Sequence, residues 1–263
     1  MPIATVRVHT LGELIDRLTP SEPDRVTGRR RDTGVYRGHA DAAAPLRTSL
    51  DVLDPNEPHG KRNLEEHILR NFIRHSRPHF GTPPVNDWEL LVAAQHHGLP
   101  TRLLDWTYSP LVAAHFATIV PTDSERVVWR LEWQQMHQKF GFPGIAFLIE
   151  DLAQISGDQE RLTPWRLFKW KSSQPQFACL LDPPALDRRI VAQSAAFTLC
   201  TDTAHPLEEF LAAHQLEGAL TRFVIAADDA GKVRDQLDLA GVNERQLFPD
   251  LDGVAAEMRR YYR

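Results

Sequence analysis

From residue 127 onward the chain breaks into short apolar runs of strand length that do not alternate regularly with helices. The runs are residues 127–131, 145–149, 177–181, 190–191, 196–199 and 223–225, separated by stretches that contain Gly, Pro and Asp. Runs bounded in this way read as β-strands. Their irregular spacing argues against a doubly wound parallel sheet and predicts an α+β fold. We therefore expect a single domain over residues 1–263, with a central mixed or antiparallel sheet flanked by helices. No linker, internal repeat or low-complexity tract divides the chain.

The first half carries helix signals. Thr10 and Glu13 fit a capping box that opens a helix over about residues 11–18. A strand is expected before it, around residues 3–8, and another at residues 34–38, bounded by Gly34 and Gly38. Leu64, Ile68 and Phe72 lie at steps of four, which gives a helical apolar stripe that Pro78 ends. A second helix starts near Asp87, read as its N-cap, and stops at Gly98. A third begins at Ser109-Pro110, with Ser as cap and Pro in the first turn. Toward the end, residues 206–214 and 228–240 read as helices, the latter stopped by Gly241.

Composition narrows the function classes. The net charge of −5 does not advertise nucleic-acid binding for the whole protein, although Arg25, Arg29, Arg30, Arg31 and Arg37 crowd one segment. That local basic rim suits an anionic ligand, or is a solvated loop. No apolar run has the length of a membrane helix, and the N-terminus lacks a secretory pattern, so the cytoplasm is expected. Cys179 and Cys200 sit inside apolar runs and read as buried thiols. The sequence has no Gly-x-Gly-x-x-Gly, no phosphate-binding Gly-Lys-Ser/Thr loop, no Gly-x-Ser-x-Gly and no His-Glu-x-x-His. His75 and His79 are separated by a helix-breaking Pro78, and no metal site is expected.

Two segments carry chemistry. Tyr36-Arg37-Gly38 puts a guanidinium on a strand beside a residue with no side chain, an arrangement that would let a ligand approach the backbone. Arg37 could equally pair with a carboxylate, Asp105 for example. The run from Gln95 to Trp106 packs Gln95, His96, His97, Thr101, Arg102, Asp105 and Trp106 between two expected helices. Polar groups presented there suit a pocket. Arg102 and Asp105 could instead clamp each other, and Trp106 could fill core.

These segments, with Glu65-Glu66, Asp87-Trp88-Glu89, residues 109–117, the Arg189 to Thr198 stretch and the Leu247 to Gly253 stretch, resemble an FRG domain. The likeness spans about residues 30–258. It implies a motif-bearing core over about 30–200 and a C-terminal helical extension over about 204–263. The order of elements also resembles an ADP-ribosyltransferase core, and that resemblance implies an NAD-dependent transferase, NAD being the substrate. It assigns Tyr36, Arg37, Gly38, His96, His97, Arg102 and Trp106 to NAD binding, and Arg37, Thr101 (or Thr107), Asp105 and Gln193 (or Asp187) to catalysis. A protein or nucleic-acid acceptor, a toxin or phage-defence setting and an antitoxin or regulatory partner are further implications. Two other readings stay open: a silent module that binds a nucleotide or nucleic-acid end, and a nuclease or hydrolase with His96 or His97 as general base. In a transferase, a late-strand Glu would be expected to steady the charge that develops on the sugar. None is visible here.

Overall fold

The computed structural model describes residues 2–25, 27–53, 60–154 and 162–262. In chain order its first half comprises β1 (Ala4–Val8), α1 (Leu11–Leu18), β2 (Val35–His39), α2 (Gly60–Ser76), α3 (Asp87–His96), β3 (Leu103–Thr107), α4 (Pro110–Thr118) and β4 (Arg126–Leu131). There follow α5 (Trp133–Lys139), α6 (Pro164–Phe168), β5 (Ala178–Leu181), α7 (Arg188–Ala192), β6 (Ala195–Cys200) and α8 (Leu207–Ala213). The last elements are β7 (Leu220–Ile225), α9 (Ala230–Leu239), α10 (Glu244–Leu247) and α11 (Leu251–Tyr261).

The strands form one seven-stranded mixed sheet in the order β1-β7-β4-β2-β3-β6-β5. Only β1 and β7 run parallel; every other neighbouring pair is antiparallel. The fold is therefore α+β. One face of the sheet carries Val35, Trp129, Leu104, Trp106 and Leu180, packed with residues of α5 and α8. The opposite face has two separate covers. Over β1, β7, β4 and β2, helices α1, α4 and α9 pack on Tyr36, Val128 and Phe223. Over β3, β6 and β5, residues of α2, α3 and α6 pack on Leu103, Phe197 and Leu181. Alternation with a period of two feeds these separate cores from the same strands.

The two halves of the sheet meet at β2 and β3, which pair at one ladder position, Tyr36 with Thr107. By contrast, β2 pairs with β4 along its whole length, as β3 does with β6. From that pair toward Arg37 on β2 and Trp106 on β3 the ladder is not continued.

Caps explain several boundaries. Thr10 Oγ1 accepts from the Glu13 amide at 3.0 Å, while Glu13 reaches past the cap residue to the His9 amide at 2.9 Å. Asn86 rather than Asp87 caps α3, accepting from the Glu89 amide at 2.9 Å. Ser109 caps α4 as the sequence suggests, through the Val112 amide at 3.3 Å. Two expected strands did not form. Residues 190–191 lie in α7, because Asp187 accepts from the Arg189 amide at 2.6 Å and nucleates a turn. Residues 145–149 contribute a single bridge, Phe147 to Leu181.

The C-terminal part, expected as a helical extension, is woven into the sheet: β7 lies between β1 and β4. Cys179 and Cys200 are buried free thiols. They belong to cores on opposite faces, and burial pushes both thiols up, Cys200 to about 12. Among the described residues, no helix is long and apolar enough to cross a membrane.

Candidate functional site

Where β2 and β3 separate, a cavity of about 550 Å³ opens, within the range of small-molecule sites. Its walls come from β2 (Tyr36, Arg37, Gly38), the end of α3 (Gln95, His96), β3 (Asp105, Trp106, Thr107), α4 (Phe116) and α7 (Arg189, Ile190). Gln193 and Phe248 complete it from the C-terminal side.

A chain of hydrogen bonds organises the polar wall. Thr101, fully buried, donates from Oγ1 to Gln95 Oε1 at 2.6 Å. That bond fixes the Gln95 amide, which donates from Nε2 to Asp105 Oδ1 at 3.0 Å. Arg37 donates to the Asp105 main-chain oxygen at 2.8 Å, and its guanidinium lies 3.6 Å from Asp105 Oδ2. The Asp105 side chain remains 57% exposed and that of Arg37 24%, so both can reach a ligand. Asp105 is the only carboxylate residue lining the cavity among the described residues.

His96 borders the cavity with its Nε2 3.2 Å from Asp187 Oδ1. Burial holds its pKa below the ordinary histidine value, and the charge of Arg189 adds to this; Asp187 pulls the other way without prevailing. A neutral imidazole results at neutral pH.

Several expected roles change. Arg102 does not line the cavity and does not pair with Asp105. It is 1% exposed and bonded to Glu65 through its backbone amide (3.0 Å) and Nε (2.8 Å). Phe168 lies against its guanidinium, 5.5 Å from ring centre to Cζ. Arg102 thus ties α2 to the start of β3, and a ligand would have to break that pair to use it. Thr101 likewise touches no cavity space and acts through Gln95. His97 caps α3 and lines a different depression with Phe72, His75 and Phe80. Tyr36 is among the cavity's lining residues, but its hydroxyl donates to Asp32, which Arg130 also grips through Nε at 2.6 Å. Burial raises the Tyr36 phenol far above its usual range, reinforced by the Asp32 carboxylate.

Gly38 is needed for packing rather than for ligand approach. A Cβ there would sit 1.8 Å from the Ala113 carbonyl oxygen and 2.6 Å from the Ala117 nitrogen, so only glycine lets α4 lie on β2. Trp106 is core-packed, its indole donating to Thr198 Oγ1 at 3.0 Å. Gln193 is the C-cap of α7 rather than a strand residue, and its amide already donates to the Leu247 oxygen at 3.0 Å. Thr107 donates to the Gln193 oxygen at 2.6 Å. Asp187 caps α7 outside the cavity lining. Arg30 and Arg31, of the basic rim, border a separate groove.

Arg189 and Phe248 are cavity residues to which the sequence reading gave no role. Arg189 lies over the Phe248 ring at 4.8 Å, and Phe248 meets Phe116 edge-on at 6.1 Å. Only the clustering of Arg189 and Phe248 in the two later stretches of the FRG-like pattern could have flagged them.

No curated protein and no solved structure matches this chain. Residues 32–126, which hold Arg37, Gln95, His96 and Asp105, match the family model of the FRG domain.

Proposed function

We propose that the cavity binds NAD and that the protein transfers ADP-ribose to a protein or nucleic-acid acceptor, as the family resemblance suggests. The observation that carries this reading is the carboxylate of Asp105, held between Arg37 and Gln95 at the mouth of a nucleotide-sized cavity. In the reaction the bond from the ribose anomeric carbon to nicotinamide breaks, and its electron pair leaves with nicotinamide. The carbon becomes electron-poor, an acceptor nucleophile adds to it, and the nucleophile's proton passes to solvent or a base. A nearby carboxylate stabilises such an oxocarbenium-like centre. Asp105 takes this role from β3, which meets the lack of a late-strand Glu. Arg37 anchors the pyrophosphate, while Gln95 orients Asp105 and is itself set by Thr101. A toxin or phage-defence effector role rests on the resemblance alone.

Hydrolysis is the second reading, favoured by one observation: His96 borders the cavity with its Nε2 3.2 Å from Asp187, which orients the imidazole as a general base requires.

The test incubates the protein with labelled NAD and cell lysate, beside Arg37→Ala and Asp105→Asn. We expect nicotinamide release and label transfer from the wild type only. Arg37→Ala should stay folded yet bind NAD more weakly by about 1.5–3 kcal/mol, the range for hydrogen bonds to charged groups. Release of free ADP-ribose without transfer would favour hydrolysis. Neither release nor an NAD-dependent thermal shift would leave a silent binding module.

A further inference from the structure

We infer that Arg189, pinned on Phe248, is a second anion-binding arginine of the cavity and takes the diphosphate of a nucleotide together with Arg37. This rests on the reading that the cavity holds a nucleotide, and it names a subsite that the segment matching the family model does not contain.

Among the described residues, no carboxylate forms an ion pair with the Arg189 side chain. Its Nε is buried and has no hydrogen-bond partner, although the residue lines the cavity. The nearest acid in sequence, Asp187, is engaged by the Arg189 backbone amide at 2.6 Å and by His96 at 3.2 Å. Asp105, the cavity's carboxylate, is engaged by Gln95 and Arg37. An arginine offers only donors, so any group that Arg189 takes in the cavity is an acceptor. The aromatic face of Phe248 stabilises the cation and fixes its position.

Phe248 is itself rigidly placed. Its amide donates to the Glu244 oxygen at 2.8 Å. A Cβ on Gly253 would come within 1.9 Å of the Phe248 oxygen, so α11 packs directly on this turn. Glu244 is bound by Arg234 at 2.7 Å and by Arg260 at 2.9 Å, which locks α9, α10 and α11 together.

The class of anion follows from the charges. Arg37 on β2 and Arg189 on α7 enter from different elements, against one acid. Two planar forks suit an anion with two charged groups, and each fork matches phosphate oxygens bidentately. Phe116, Val120, Ile190 and Phe197 supply apolar wall for the rest of a nucleotide.

Calorimetric titration of the full chain with ADP, inorganic pyrophosphate and adenosine tests this, on the wild type, Arg189→Met and Arg189→Lys, with melting curves for each. The wild type should bind ADP more tightly than adenosine, and pyrophosphate should compete with ADP. Arg189→Met should lose about tenfold to a hundredfold in ADP affinity while adenosine affinity holds, with Arg189→Lys in between. The inference falls if the wild type does not prefer ADP to adenosine, if folded Arg189→Met binds ADP as before, or if both ligands weaken equally. Should Arg189→Met fail to fold, Arg189→Lys decides: unchanged ADP affinity there overturns the subsite. An Arg189-dependent preference for ADP in a protein that releases no nicotinamide from NAD would keep this inference and remove the transferase.

Discussion

Arg37 and Arg102 carry the same guanidinium into opposite circumstances. Arg37 stands partly open at the cavity with one main-chain bond, whereas Arg102 is sealed against Glu65 and Phe168. Both lie in motif segments, and their sequence neighbourhoods do not separate them. What separates them is the partner: Glu65 is on α2, distant in sequence, and as buried as Arg102. Removing one member of a buried pair leaves the other charged and unsolvated. Glu65→Gln should therefore cost about 3–5 kcal/mol of stability. Urea denaturation reads this directly, and nucleotide affinity per folded molecule should not change. An unchanged midpoint would mean that the pair does not hold α2 in place. The polar run at 95–106 marked the site because a dense polar cluster between helices is costly unless it is used. Which members face the ligand depends on long-range partners that the run itself does not encode.

The contact between β2 and α4 shows how an element can be specified by one absent side chain. Gly38 lies under the Ala113 carbonyl, and any Cβ would collide with helix backbone rather than with a flexible side chain. Gly38→Ala should push α4 away from the sheet and cost about 3 kcal/mol, the upper end for overpacking. The same shift would move Phe116 and widen the cavity, so nucleotide affinity should fall along with the melting temperature. A variant with wild-type stability would show that α4 has room to move. Strands β2, β4, β6 and β7 are readable as short apolar runs of strand length. The run at 190–191 misled because two apolar residues carry no period, and the Asp187 cap decided for helix. Helices α10 and α11 fall inside the extension expected to be helical over about 204–263, without boundaries of their own, and polar contacts hold much of them, with Arg260 donating to Asp238 at 2.6 Å and to Glu244.

Across the whole molecule, burial lowers the pKa of two buried histidines, His115 and His137, and of the half-buried His96, and this couples stability to pH. Arg234 can only donate, so the bond at 2.7 Å from its Nη1 obliges His115 Nδ1 to accept. The Leu180 amide likewise donates to His137 Nε2 at 2.8 Å. Burial lowers His115, with Arg234 adding to it against the pull of Glu244, to about 4. Burial lowers His137 and His96 as well. In the unfolded chain each would titrate near 6.5, the ordinary histidine value. Below that pH the unfolded chain binds protons that the native state refuses, so stability is full above about pH 6.5 and drains as pH falls toward the native values. Glu244 and Asp32 act later. Burial raises each carboxyl, but hydrogen bonds from Arg260 and Arg130 respectively prevail and hold it below the usual range, so its contribution disappears only at lower pH. His115 alone should account for about 2 kcal/mol lost between about pH 7.5 and pH 5. Urea unfolding across that range should slope accordingly, and His115→Gln, whose side-chain oxygen can still accept from Arg234, should flatten the slope. An identical slope in the variant would mean that His115 titrates alike in both states, and the loss would then belong to His96 and His137. Because His115 braces Arg234, and Arg234 holds the helix that carries Phe248, acid should also loosen the C-terminal wall of the cavity before the sheet itself gives way.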